Sequence, residues 1–202
     1  MKTKAFTLIE LLTVIAIIGI LAGILIPTVS AVRTSANKAR TKAQFSQWAT
    51  ALGLFKQEYG YYPTTIQTGN KIESDVFIAA LSGRDYKGSP AESDAKAAGN
   101  KKLVPFYSFS DSDLKKDEGG EIQEQIVDAF GNEEIAIIMD RDGNGVIDGS
   151  DGSFVPVKGI DDTVSAAPDL PASGIRAGVV FYSAGKGGSS TAEVKKNIVT
   201  SW

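Results

Sequence analysis

Apolar and polar positions divide this chain of 202 residues into three stretches. Residues 11–32 carry no charge, and LLTVIAIIGILAGILI is almost wholly apolar. Together with residues 6–9, this run reaches the ~20 residues that cross a bilayer as a helix. Past Arg33 the pattern turns periodic: Phe45, Trp48, Leu52, Phe55 and Tyr59 recur at intervals of 3, 4, 3 and 4, one apolar stripe on a helix. Ala36, Ala39 and Ala43 extend that stripe backwards with smaller side chains. At two heptads it is short for a coiled-coil seam, so it predicts a face packed on the chain's own sheet. Gly60 ends the helix, and Tyr61-Tyr62-Pro63 turns the chain.

Shorter elements follow. Residues 71–81 predict a short helix carrying Val76, Phe77, Ala80 and Leu81 inward, and 82–102 read as an irregular loop. In 111–118, Asp111, Asp113, Lys115, Lys116, Asp117 and Glu118 alternate sign without an apolar period, which reads as a solvated loop. Residues 134–139 and 177–182 are clear strands, with 154–157 and 197–200 weaker. The apolar residues suffice for one modest core of a few antiparallel strands on the long helix. The fold class is α+β.

Composition narrows the chemistry. A formal charge of -3 argues against a dedicated nucleic-acid binder. With no Cys there is no disulfide, iron–sulfur cluster or thiolate zinc site, and with no His the commonest general base is missing. An enzyme would have to work with carboxylates, Lys, Tyr and Ser/Thr alone, so no catalytic residue is assigned.

The N-terminus is more specific. Met1-Lys2-Thr3-Lys4-Ala5 is a basic leader, but the apolar run after it is longer than that of a secretory signal and lacks an A-x-A site. A plain membrane anchor accounts for the run but not for Glu10, a carboxylate that needs a partner if it reaches hydrocarbon. Ala5 followed by FTLIELLTVIAIIGILAGILIP resembles the N-terminus of type IV pilins and type II secretion pseudopilins, closely over about 35 residues. The resemblance implies cleavage between Ala5 and Phe6 by a prepilin peptidase and N-methylation of Phe6. It further implies that Glu10 pairs with the terminal amine of a neighbouring subunit. Pro27 should kink or locally melt the helix, and the resemblance implies a segment that loosens on assembly. It also places the N-terminus in the cytoplasm and the head outside the inner membrane. Charge alone does not favour that orientation, since Arg33, Lys38, Arg40 and Lys42 follow the span and only Lys2, Lys4 and the amine precede it. Without Lys2 and Lys4 the formal charge goes from -3 to -5.

A second motif lies at 140–151. Counted from Asp140, side-chain oxygens of Asp140, Asp142, Asn144, Asp148 and Asp151 fall at positions 1, 3, 5, 9 and 12, with Gly145 at 6 and the carbonyl of Val146 at 7. The stretch resembles an EF-hand or dockerin calcium loop, with Asp in place of Glu at 12 and no helices expected beside it. An Asp/Asn/Gly-rich turn between strands is the alternative. No second repeat supports a dockerin. Ca²⁺ here would be a structural cofactor, steadying an exported head that has no disulfide. The resemblance to major pseudopilins also implies a calcium site near the end of the head, where that family commonly has an acidic residue after Ser-x-Gly; here Ser183-Ala-Gly185 is followed by Lys186, so the Asp140 loop is the better candidate. Asp128-Ala-Phe130-Gly131-Asn132 resembles the Asp-Pro-Trp-Gly-Asn turn of the same family.

The expected organisation is a leader at 1–5, a membrane and assembly helix at 6–32, its amphipathic continuation at 33–60 and a head at 61–202. The expected function is a filament subunit, a type II secretion pseudopilin that polymerises to drive export. The alternative is a type IV pilus subunit or minor adhesive pilin serving adhesion, motility or DNA uptake. Expected partners are further copies and other pilins or pseudopilins, the peptidase, the inner-membrane assembly platform and the membrane.

Overall fold

A computed structural model describes residues 8–202, the side chains of Ile26 and Pro27 apart. Helix α1 (Leu8–Tyr59) opens it, and the chain divides into two compact units, Met1–Asn37 and Lys38–Trp202.

In the first unit the described large apolar side chains from Leu8 to Val32 stand exposed. The two threonine hydroxyls among them are satisfied locally: Thr13 donates to the Glu10 carbonyl at 3.0 Å, and Thr28 to the carbonyls of Ile24 and Leu25 at 3.0 and 2.8 Å. A helix that uses up its own polar groups in this way suits a medium without water. Helix α1 runs on through Pro27.

In the second unit α1 buries Thr41, Phe45, Trp48, Ala51, Leu52 and Phe55, while Tyr59 is half-buried and donates from its hydroxyl to Asn100 Oδ1 at 2.8 Å. The stripe does pack on a sheet. That sheet has five antiparallel strands, β1 (Gln67–Thr68), β2 (Lys71–Ile72), β5 (Ile135–Met139), β6 (Val179–Ser183) and β7 (Val199–Thr200), in the order β1-β2-β5-β6-β7. The two central strands run in register from Ile135 opposite Ser183 to Met139 opposite Val179, and every residue in both is buried. Alternation explains this. Ile135, Ile137, Met139, Val179 and Phe181 join the α1 cluster. Ala136 and Tyr182 pack on Val157, Ala166 and Val194, and Ile138 and Val180 on Ile147 and Ile175, behind the sheet. With both faces covered, the strands read as continuous apolar runs.

Five expectations need correction. In 71–81 the first two residues form β2, and helix α2 (Ser74–Ser82) begins only after Glu73, closing on Gly83 at φ 70°. The 82–102 segment contains helix α3 (Glu92–Ala97). It is fixed by buried Asn100, which donates to the carbonyls of Ala80 and Val104 and accepts from Val104 N–H and the Tyr59 hydroxyl. The 111–118 segment is not a solvated loop, because Leu114 is buried in strand β3 (Leu114–Lys116), paired with β4 (Ile122–Ile126). Of 197–200, Asn197 ends helix α4 (Thr191–Asn197), capped by the Ser190 hydroxyl, and 154–157 reduce to one bridge between Val157 and Ala166.

Candidate functional site

Two regions carry the predicted site residues. Ala5 and Phe6 lie outside the described residues. Glu10 is exposed in the first turn of α1, and Pro27 sits within the same helix. A methyl group added to Gly19 or Gly23 would meet nothing within 4 Å, so neither glycine is required by packing within this chain.

The 140–151 loop leaves the buried end of β5. Asp140, itself buried, turns its carboxylate inward: Oδ1 accepts Gly143 N–H at 2.8 Å and Oδ2 accepts Gly145 N–H at 3.1 Å. Those two glycines have φ of 76° and 79°, a conformation that side chains disfavour. Asp151, also buried, closes the loop from its far end by accepting Arg141 N–H at 2.8 Å and Asp148 N–H at 3.2 Å. Asn144 donates to Asp142 Oδ2 at 2.8 Å, and its own oxygen accepts Val146 N–H at 2.6 Å. Ile147 pins the loop's second half, exchanging backbone bonds with Ile175 at 2.8 and 2.9 Å and burying its side chain against Ile138 and Val180.

One oxygen each from Asp140, Asp142 and Asp151 lies within 4.8 Å of the others. Oxygens bound to one calcium at 2.3–2.6 Å can stand no more than about 5 Å apart, so these three fit a hard divalent cation. Among the described residues no other group of acidic side chains converges in this way. Asp148 is not part of the trio. Its carboxylate accepts from the Ser150 hydroxyl at 2.7 Å and Ser150 N–H at 2.8 Å, bonds that hold its pKa below the usual carboxylate value.

Two features were not visible in the sequence. Lys56, near the end of α1, brings its ammonium to 3.8 Å from Asp140 Oδ2 and to 4.4 Å from the centre of the Tyr62 ring. Burial, and secondarily the Asp140 charge, push the Tyr62 pKa up. In the pattern Lys56 was only a polar residue off the stripe; no local signal pairs it with a residue 84 positions away. Asp128 and Ser183, from separate motifs, also meet: Ser183 Oγ donates to Asp128 Oδ2 at 2.6 Å, and Asn132 Nδ2 donates both to that carboxylate and to the Gly185 carbonyl.

Residues 1–26 match the family model of the prokaryotic N-terminal methylation motif. Over 66 residues the chain is 35% identical to the type II secretion system core protein G of Escherichia coli (strain K12), covering 33% of this chain and 46% of that protein. The protein of the same name from Klebsiella michiganensis is 33% identical over 64 residues, 32% of this chain and 45% of its own length. That from Dickeya chrysanthemi is 30% identical over 66 residues, 33% of this chain and 43% of its own. The chain thus spans less than half the length of the curated relatives it matches. No solved structure matches it. The likenesses are to a methylation motif and a secretion-system protein, not to an enzyme.

Proposed function

We propose that this chain is a pseudopilin-type subunit of a type II secretion system, anchored in the inner membrane by α1 until it assembles. The observation that carries this is the state of α1 behind its methylation motif: the large apolar side chains from Leu8 to Val32 are exposed. Such a surface is stable only in a bilayer or among like helices. The likeness to core protein G supports a secretion filament over an adhesive one. In this reading, cleavage after Ala5 exposes the Phe6 amine and the peptidase methylates it. Apolar helices bundle, and Glu10 sets their register by neutralising the amine of a neighbour, an exchange favoured where the dielectric is low. Growth of the filament drives export, with the assembly platform and other pseudopilins as partners.

The 140–151 loop is proposed to hold a structural Ca²⁺ on the carboxylates of Asp140, Asp142 and Asp151. Asn144 and the Val146 carbonyl complete the set, and Asp148 contributes through water. The ion supplies charge neutralisation for buried acids, and its binding to the folded head alone stabilises that fold.

Mass analysis of the mature protein, paired with electron microscopy of a Glu10→Ala strain, tests the assembly reading. The mature chain is expected to start at N-methylated Phe6, and Glu10→Ala to reach the membrane with at least a tenfold loss of filaments. An intact Met1 with normal filaments in the variant would overturn it.

A further inference from the structure

The calcium loop already faces a cation of its own chain. Asp140 is buried, and the nearest positive charge is the Lys56 ammonium, 3.8 Å from Oδ2. That spacing exceeds the ~2.8 Å of a charge-assisted hydrogen bond, so Lys56 neutralises the carboxylate without occupying its lone pairs. Gly143 and Gly145 N–H groups bond the same two oxygens and offer hydrogen bonds but no full charge. The lysine is also free to leave. Its side chain is 36% exposed, and its ammonium also stands over the face of Tyr62. A groove of about 570 Å³ lined by Lys56, Tyr61, Tyr62, Pro63, Asp140 and Arg141 gives it room.

The geometry points to Lys56 as a built-in competitor for the calcium loop, standing beside Asp140 when the metal is absent and yielding when it binds. This rests on the proposed calcium site. A Ca²⁺ bound through Oδ2 would lie within about 6.4 Å of the ammonium in its present place, by the 2.3–2.6 Å of a calcium–oxygen bond. Two positive charges at that range repel, and the partly buried setting screens them incompletely. Calcium must therefore displace Lys56 or bind against it, and either course weakens the metal's affinity. In return, the metal-free loop avoids leaving a buried carboxylate uncompensated, which is the costlier fault. Lys56 lies in the last turn of α1, so occupancy of the loop decides whether that turn is tied to it.

Calorimetric titration of the full chain in detergent with calcium chloride tests this, comparing wild type, Lys56→Gln and Lys56→Arg. Lys56→Gln is expected to bind calcium about tenfold more tightly and to melt earlier than wild type in chelator. Lys56→Arg, which keeps the charge, is expected to stay within about twofold of wild type and guards against a folding artefact. The tenfold gain should shrink as salt rises from 0.02 to 0.5 M. Equal or weaker binding by Lys56→Gln, with wild type binding normally, would overturn the competitor role and leave the calcium site standing. No binding by any of the three would overturn both, whereas binding by Lys56→Gln alone would support competition.

Discussion

Asp128 carries a charge the fold hides almost completely, and four donors hold it there. Its Oδ1 accepts the N–H groups of Phe130 and Asn132 at 2.8 and 2.9 Å, and its Oδ2 accepts Asn132 Nδ2 at 2.9 Å and the Ser183 hydroxyl at 2.6 Å. Burial still outweighs these bonds and raises its pKa. The sign follows from linkage. The folded state holds the proton more tightly than the unfolded one, so stability falls as pH rises from the ordinary value of 3.8 through the folded pKa, then levels off. Asp128→Ala strands Ser183 and the Asn132 donors in a dry site, and should cost about 3 kcal/mol. Because the variant also escapes the buried charge, its deficit should be larger at pH 4 than at pH 7 in urea unfolding of the full chain in detergent. An equal or opposite ordering would show that Asp128 is not strained by burial. At this scale the sequence was half legible. The Asp128-to-Asn132 turn and the Ser183-Ala-Gly185 step could each be picked out, but nothing local says that they bond to each other.

Among the elements, α1 was readable because its spacing is a direct projection of its buried face. The four aromatic rings Phe45, Trp48, Phe77 and Phe181 meet with centroids 5.3 to 6.2 Å apart. Trp48 is fully buried at their centre; among the described residues its Nε1 makes no hydrogen bond of good geometry, although it lies close enough to the Tyr107 hydroxyl to act on it. Its contribution is therefore chiefly ring volume and contact. Trp48→Ala should cost about 4 kcal/mol through the cavity it opens. Trp48→Phe, which keeps most of the ring volume and gives up only the strained indole donor, should cost no more than about 1.5 kcal/mol. If denaturant unfolding gave similar losses for both, the indole nitrogen would have to be bonded in solution. The elements that escaped the sequence share a different origin. β3 and β4 are joined through a turn in which Asp117 Oδ1 accepts Gly119 and Glu121 N–H, and one buried Leu114 makes too little alternation to be seen. α3 buries only Ala95, and α4 only Val194, within themselves. A short helix with a single inward residue has no period to detect.

Across the whole molecule, apolar surface is divided unequally. Every buried apolar residue among those described lies at or beyond Phe45, within the Lys38–Trp202 unit, while the exposed large apolar residues from Leu8 to Val32 all lie in the other. The α+β architecture followed from that pattern. The approach of Lys56 to Asp140 in the 140–151 loop did not, because it depends on where α1 ends relative to β5. A unit that owns its entire core should fold without the other. The fragment 38–202 should be soluble without detergent, show fixed aromatic near-ultraviolet dichroism and unfold in urea in one cooperative step. The full chain should need detergent or lipid, because its exposed apolar stretch otherwise drives association. A fragment that kept helical signal but lost near-ultraviolet dichroism would be a molten state. The aromatic cluster on α1 would then depend on residues before Lys38, and the division of labour between an assembly helix and an independent head would be wrong. If the fragment folds, the head's stability can be changed through Asp128, Trp48 or the 140–151 loop without touching the segment proposed to build the filament.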